Sequence, residues 1–523
     1  MAVAAAILAL VNACAVGPDF NRPRVELPPA WTAVGGDQGE PAPPPKEFST
    51  AWWEGFDDPQ LTSLVVEVFE QNLDIEAAGL RVLQARAGLA IAFGNRLPQS
   101  QSASGSLTAI GLSENDPSFF PGADDQFGVV SLGFDSTWEL DFWGRFRRGV
   151  EAAVADFGGA VAAYDAVSLA LIAETASTYV AVRTLQELYE VTRENVALQQ
   201  RSLEIADVLA RNERTTELDV EQARTLAEST RADLPTIQAD LQQALNALSL
   251  LLGEAPGRVA ARIGIGKVPA PEMPLETGVP AELLRRRPDV RVAELEAAAQ
   301  SARVGIAQAD RYPAFGLSGS VGLTNANTGS RDLSEVFAAD SLEWTLGPFF
   351  SWPVFNYGRL INTVRVEDAA LQESLVAYRT SVLSAAREVE DAIADVLGER
   401  AALTHVQASA DAARRAVDLA LLQYREGIAD YQRVLDTQRT LNSQQQILVR
   451  SRGAVADSVI GLYLALGGGW ELRERSPLID GATIDEMRAR TNWGALLDDV
   501  ALEQTPTVPE PASEQPFFRS PLP

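Results

Sequence analysis

The strongest constraint on this 523-residue chain is that its second half repeats its first. Sliding the sequence along itself by 214 residues brings the two halves into register without a gap, and slightly upstream the shift becomes 215. The aligned pairs include Asp74 with Asp289, Pro98 with Pro313, Trp138 with Trp352, Gly144-Arg145 with Gly358-Arg359, and Leu252-Gly253 with Leu466-Gly467. A duplicated unit predicts two similar structural units that pack together.

Each unit carries two stretches in which apolar and hydroxyl side chains alternate. They cover residues 102–109, 130–140, 315–324 and 344–354. This period of two predicts two hairpins of roughly 10-residue strands with one apolar face. A soluble sheet with one buried face would show the same period, but the Ser- and Gly-rich polar face and the aromatic clusters favour the wall of a transmembrane barrel.

Four strands are too few to close such a barrel, because the smallest spanning barrels have about eight. An open edge inside lipid would leave backbone groups without hydrogen bonds. The sequence therefore predicts that the chain oligomerises to pair its strand edges.

Each second strand is followed by an unusually long helical stretch, predicted over Arg145–Arg211 and Arg359–Arg425. At 1.5 Å per residue, such a helix is on the order of 100 Å long. Both should turn back into a second helix, and Pro235 predicts a bend in the first returning helix. The second long helix shows the alternating four- and three-residue spacing of a coiled-coil seam, at Val382, Ala386, Val389, Ile393 and Val396.

The first thirteen residues are almost wholly apolar, which is typical of a signal-peptide core too short to span a bilayer. The usual charged start is missing, so we expect the true start to lie upstream of Met1. Residues 11–14 end in Cys14, the only cysteine, and are similar to the processing site of bacterial lipoproteins. We predict that Cys14 is lipidated, the alternative being a buried thiol, and Ala15 favours the outer membrane over inner-membrane retention.

The composition excludes several classes of function. A net charge of −28 argues against binding nucleic acid, which needs a concentrated basic patch. One histidine, His405, and one cysteine leave little for histidine catalysis, a metal site or a cofactor. A glycosidase with paired carboxylates stays open as an enzymatic alternative, although the acidic residues are scattered along helical faces.

The predicted organisation has six segments. They are a signal peptide (1–13), a lipidated N-terminal segment (14–60), the first repeat (61–253), a Pro- and Gly-rich connecting segment (254–280), the second repeat (281–467) and a C-terminal segment with a disordered tail (468–523).

Five motifs give the chain a specific resemblance. CAVGPDFNRP, WWEGFDDPQL, LLRRRPDVRVAE, YREGIADYQRVLDTQRTL and LYLALGGGW occur in this order between Cys14 and Trp470. Together they resemble the lipidated, NodT-like branch of the TolC-type outer membrane factors.

The resemblance implies an α+β membrane protein that forms a homotrimer. Three protomers would give four strands each to one 12-stranded barrel, continued by a periplasmic coiled-coil barrel of helices. The implied function is to pass solutes from an inner-membrane pump of the RND class, through a periplasmic adaptor, across the outer membrane. A type I secretion channel and a non-channel periplasmic scaffold are the alternatives.

The resemblance also implies functional residues near the two helical turns. The gate maps onto Tyr424, Gln432, Asp436 and Arg439. Gln432 departs from the family pattern, in which an apolar side chain commonly plugs the axis. Adaptor docking maps onto Thr215, Thr216, Gly427, Ile428 and Ala429, with Gly427 expected at positive φ and the two threonines expected to replace that glycine and cap the returning helix.

Overall fold

The computed structural model describes residues 15–27, 31, 51–113, 115, 122, 124–271, 284, 286–329, 332–475 and 477–497. The predicted signal segment and Cys14 lie outside these residues, as do the predicted disordered tail from Glu503 and parts of the connecting segment. The described residues form long helices and one small antiparallel sheet.

The sheet has four antiparallel strands in the order β1-β2-β3-β4. The strands are β1 (Ser100–Gly111), β2 (Gln126–Leu140), β3 (Ala314–Ala326) and β4 (Leu342–Ser351). The two predicted hairpins are thus present, and β2 pairs with β3 to join them. Within the described residues, β1 and β4 each pair on one side only, so both edges of the sheet are open.

The register of the sheet separates its two faces as the alternating pattern predicts. Phe134 pairs with Val321, which pairs with Trp344, so these apolar side chains share one face. The opposite face is hydroxylic, and there Ser320 and Thr345 are hydrogen-bonded at 2.7 Å. The apolar face is bare in the single chain, since Trp344 is 69% exposed.

The strand β4 ends earlier than its sequence pattern predicts. We expected the alternation to continue through Trp352 and Val354, but the strand stops at Ser351. Pro353 cannot donate to a strand ladder, and Val354 instead bonds the carbonyl of Trp352 at 2.9 Å.

The long helices begin and end where the sequence predicts. The first long hairpin comprises α3 (Arg145–Arg211) and α4 (Glu217–Leu251), and the second comprises α7 (Arg359–Arg425) and α8 (Tyr431–Leu466). The helix α4 continues through Pro235. By length and composition α3 could cross a membrane, but 56% of its apolar window is buried within the bundle, as in a core helix.

Shorter helices surround the base of these hairpins. They are α1 (Pro59–Gln71), α2 (Leu73–Gly94), α5 (Arg258–Ile263), α6 (Pro288–Ala309) and α9 (Gly481–Arg490). The largest hydrophobic core lies here, where side chains of α1, α2, α3, α4, α7 and α8 meet around Trp52 and Trp53. The indole of Trp52 donates to the carbonyl of Gly468 at 3.0 Å, which fixes the C-terminal end of α8 to the N-terminal region.

The predicted coiled-coil seam of α7 is shifted at one position. Four of its five residues are buried, but Ala385 is fully buried where we expected Ala386. The helix packs against α6 as well as α8 at this level, where Arg287 reaches Glu388 at 2.6 Å. The buried face is therefore wider than a two-helix seam.

Corresponding positions of the two halves make the same ties. Asn72, at the start of α2, donates to the carbonyl of Leu251 at 2.8 Å, and Arg287, at the start of α6, donates to the carbonyl of Ala465 at 2.7 Å. Each tie joins the start of the helix that precedes a β-hairpin to the last turn of the returning helix of the same half. The base of each long hairpin is therefore held by its own half.

A segment after position 14 is fixed to the junction between sheet and helices. Val16 donates its backbone N–H to the carbonyl of Trp143 at 3.0 Å. The buried Arg148 binds the carbonyl of Gly17 at 3.3 Å and the carboxylate of Asp19 at 2.7 Å. Residues 15–19 are thus held beside the ends of β2 and α3.

Candidate gate at the tips of the helical hairpins

The two hairpin turns have the same backbone geometry. Gly427 takes the predicted positive φ, at 73°, and Ile428 donates back to the carbonyl of Gln423 at 2.9 Å. In the first turn Glu213 takes a φ of 53°, and Arg214 donates to the carbonyl of Leu209 at 2.9 Å. Both are helix ends closed by a residue in the left-handed region.

The prediction that Thr215 and Thr216 replace the glycine is therefore wrong. The residue equivalent to Gly427 is Glu213, which adopts the left-handed conformation although it has a side chain. Thr216 does occupy the cap position of α4, but its side chain makes no capping hydrogen bond. Thr215 instead donates its hydroxyl to the carboxylate of Asp219.

A chain of hydroxyl groups joins the two hairpins at this end. Tyr424, near the end of α7, donates to the hydroxyl of Thr215 at 3.4 Å, and Thr215 passes the chain on to Asp219. The Tyr424 ring is buried and packs edge-on against Tyr431, with 5.3 Å between ring centroids. Burial, reinforced by the nearby Asp219 carboxylate, raises the pKa of the Tyr424 hydroxyl.

Apolar side chains from both hairpins surround these rings. This cluster holds the turns together, and we call it the tip cluster: Ala206, Val220, Ala223, Leu226, Ala420, Tyr424, Tyr431, Val434 and Leu435.

The remaining predicted gate residues lie on the exposed face of α8. Gln432 donates to the carboxylate of Asp436 at 3.0 Å, within the same helix. Arg439 is exposed and has no hydrogen bond or ion pair with any residue that the structure describes. The fourth predicted gate residue, Tyr424, does not join this group within one chain, because its hydroxyl is directed to Thr215. Asp436 and Arg439 are therefore available to a neighbouring molecule.

The predicted docking residues lie at the very ends of the hairpins. Ile428 is 76% exposed, an unusual place for a large apolar side chain. Thr216 and Gly427 are also exposed, while Thr215 is half-buried by its part in the hydroxyl chain. Thr215 thus belongs to the contact between hairpins more than to the outer surface.

Sequence reasoning missed Asp219 and Tyr431. Asp219 lies four residues after Thr215, the spacing that brings side chains together on a helix, but acidic residues at helix starts are common and carry no specific signal. Tyr431 lies seven residues after Tyr424, across a turn whose geometry depends on Gly427.

The sequence matches a known protein family in two blocks. The model of the outer membrane efflux protein family covers residues 64–254 and 279–468. These blocks include the long hairpins, the strands and the ties at the base of each half. The chain belongs to the outer membrane efflux protein family.

Individual relatives extend over nearly the whole chain. The solvent efflux pump outer membrane protein SrpC of Pseudomonas putida is 32% identical over 482 residues, which cover 89% of this chain and 98% of SrpC. Nodulation protein T of Rhizobium leguminosarum bv. viciae is 28% identical, over 90% of this chain and 93% of its own. The structure of the outer-membrane channel OprN is 30% identical and aligns with a TM-score of 0.79 over 88% of this chain and all of OprN.

Family membership confirms the resemblance to NodT-like outer membrane factors. The glycosidase alternative is wrong. This member of the outer membrane efflux protein family has the fold of an outer-membrane channel and is not an enzyme. Members of this family are outer membrane components of efflux systems that work with adaptor and inner-membrane pump partners, and membership supports an outer-membrane location for this chain.

Proposed function

We propose that this efflux protein is a homotrimeric duct whose three sheets form one 12-stranded barrel in the outer membrane. The observation that carries the proposal is the open four-stranded sheet, with unpaired edges at β1 and β4 and one bare apolar face. Three copies would pair every edge and place the apolar face in lipid. The duplicated sequence accounts for the two hairpins that each copy gives.

The long hairpins would continue the barrel as a tunnel of helices through the periplasm. Their length, set by 67 residues in each of α3 and α7, suits a structure that crosses a compartment. Solute would enter from an RND-type inner-membrane pump through an adaptor that binds the exposed turns around Ile428 and Thr216. Ala429 belongs to the same turn as Ile428.

Polar contacts at the tip, between hairpins and between subunits, would hold the tunnel closed. These contacts would weaken together when the tunnel opens. Tyr424 holds the two hairpins of one chain through Thr215, while Asp436 and Arg439 face outward and would bind the adjacent subunit. Gln432 would narrow the axis with a ring of amides, held in place by Asp436. Repetition around a three-fold axis multiplies each weak tie.

Lipidation of Cys14 would anchor the duct at its barrel. The segment that follows Cys14 is held beside Trp143 and Arg148, where β2 ends and α3 begins. An acyl chain on Cys14 would therefore lie near the membrane surface. Each buried methylene contributes about 0.8 kcal/mol, so several chains give a firm anchor.

Planar-bilayer recording of the purified full-length protein tests the duct directly. We expect single channels in three-subunit particles, and restored resistance to efflux substrates when the protein is expressed with its pump and adaptor in a strain lacking its own channel. A membrane-inserted protein that conducts nothing under any condition and restores no resistance would contradict the proposal.

A further inference from the structure

The two long hairpins touch one another along a stretch of polar side chains. Ser202 of α3 accepts a hydrogen bond from Gln438 of α8 at 2.6 Å, and Asn195 of α3 donates to Gln445 of α8 at 2.8 Å. The helices run antiparallel here, and each pair is separated from the next by seven residues, or two turns. We call these four residues, together with Gln199, the polar seam.

Gln199 lies in the middle of the polar seam and has no partner. It is 1% exposed, and neither its amide nitrogen nor its amide oxygen makes a hydrogen bond with the residues that the structure describes. The antiparallel register explains this, because it places Gln199 level with Leu441, a buried apolar residue. The Oε1 atom of Gln438 is also buried and accepts no hydrogen bond from any residue in the described part of the chain.

The contact between α3 and α8 is different on either side of the polar seam. Towards the turns lies the apolar tip cluster. Towards the base, Gly453 lets the helices approach closely, since a Cβ atom at this position would lie 2.5 Å from the hydroxyl oxygen of Thr184. The hairpins are thus packed closely at Gly453 and carry unpaired polar groups between there and the tip.

A buried amide without partners destabilises the form in which it is buried. Water is the alternative partner, and it becomes available when the two helices separate. The unpaired atoms of Gln199 and Gln438 therefore favour separation over contact. Apolar side chains such as Leu441 have the opposite effect.

We propose that the polar seam is the surface along which the second long hairpin parts from the first when the tip opens, with the contact at Gly453 and Thr184 staying closed. The inference rests on the proposed function, since it needs a tip that opens. It adds that Gln199 and Gln438 lower the free energy needed for opening. The hydrogen bonds at the tip then favour the closed form, while the unpaired amide groups of the polar seam favour the open form. The two forms therefore stay close in free energy.

The test removes the unpaired groups without changing the volume of the side chain. Gln199→Met keeps an unbranched chain of similar length and deletes both polar atoms. We expect the melting temperature of the trimer to rise and the open probability in planar bilayers to fall about tenfold. Gln438→Met should act in the same direction. Ser202 loses its bond from Gln438 in this variant but keeps the bond that it donates to the carbonyl of Leu198, which is 3.2 Å long in the structure.

The matched control is Gln243→Met, on the exposed face of α4, which should change neither quantity. If the wild-type protein conducts and a folded Gln199→Met or Gln438→Met trimer opens as often as the wild type, the inference is wrong while the duct stands. If neither variant assembles into trimers, the polar seam instead specifies helix register, and the inference is again overturned. A wild type that does not conduct would count against the duct itself.

Discussion

The hydroxyl of Tyr424, on the second long hairpin, lies 3.4 Å from the hydroxyl of Thr215 in the turn of the first. Beside the apolar tip cluster, this contact joins the two halves of the chain through a hydrogen bond between side chains. Asp219 supports the contact, because its carboxylate accepts the hydroxyl proton of Thr215. The Thr215 oxygen can then accept the hydrogen bond from Tyr424. The gate we propose is therefore a tie between hairpins as well as a tie between subunits.

Thr215→Val should loosen the closed tip. The substitution keeps the shape of the side chain and deletes the oxygen that receives the Tyr424 hydroxyl, a loss of about 1 kcal/mol per chain. We expect a higher open probability in planar bilayers. Thr216→Val is the matched control, because the neighbouring hydroxyl makes no capping bond, and an equal effect of the two substitutions would disprove the assignment.

Asp436→Ala combined with Arg439→Ala tests the outward-facing part of the gate. Within the described part of one chain, the Asp436 carboxylate binds Gln432 alone and the Arg439 side chain binds nothing, so removing both side chains should leave the melting temperature of the hairpins nearly unchanged. Open probability should rise, since the proposed ties to the adjacent subunit are lost. An unchanged conductance record would exclude these two residues from the gate.

Tyr431→Phe should stabilise the protein and reduce its sensitivity to alkali. The buried hydroxyl has no hydrogen-bond partner among the described residues, so its removal is expected to stabilise the fold by about 1 kcal/mol at neutral pH. Burial raises the pKa of Tyr431 above the value of about 10 expected in the unfolded chain. The folded state therefore favours the protonated hydroxyl. The full free energy of unfolding is present below about pH 10, and part of it is lost as the pH rises from there towards the folded pKa.

The measurement for Tyr431→Phe is the melting temperature at pH 8 and pH 11. The melting temperature of the wild type should fall more between pH 8 and pH 11 than that of the variant. Tyr357→Phe, at a fully exposed position, provides the control and should melt like the wild type at both. A wild type and a Tyr431→Phe variant with parallel pH profiles would show that this hydroxyl does not couple folding to protonation.

Glu213→Gly should stabilise the first hairpin turn. Glu213 holds a φ of 53°, a conformation that costs a residue with a side chain about 1–2 kcal/mol. Glycine removes this strain but loses more backbone entropy on folding, which leaves a net gain of roughly 0.5–1 kcal/mol in the free energy of unfolding. Glu217→Gly, in the first turn of α4, should be destabilising by a similar amount, and a Glu213→Gly protein that melts lower than the wild type would contradict the strain argument.

The repeated pattern predicted the architecture well because length and period leave few choices. Alternation over about ten residues specifies which side chains share a sheet face. A proline-free run of 67 residues specifies a helix, and the preceding glycines mark its start at Arg145 and at Arg359. The end of β4 was mispredicted because the alternation of side chains continues past Pro353, where the backbone cannot pair.

The tip was less predictable because its contacts join residues far apart in sequence. Tyr424 and Thr215 are 209 residues apart, and only the packing of two hairpins side by side brings them together. The left-handed conformation of Glu213 was missed because no residue type in RNERTT signals it; equivalence with Gly427 in the repeat was the available clue. Gln199 reads in the sequence as an ordinary surface amide, and its burial depends on the register between α3 and α8.

We expect sister subunits to complete the open-edged sheets in lipid, because an unpaired edge cannot stand there. The most direct measurement is the mass of the protein complex extracted from outer membranes in mild detergent, determined by light scattering that separates protein from detergent. We expect three chains per particle within a detergent belt. A single chain that stays in solution after the detergent is removed would contradict it.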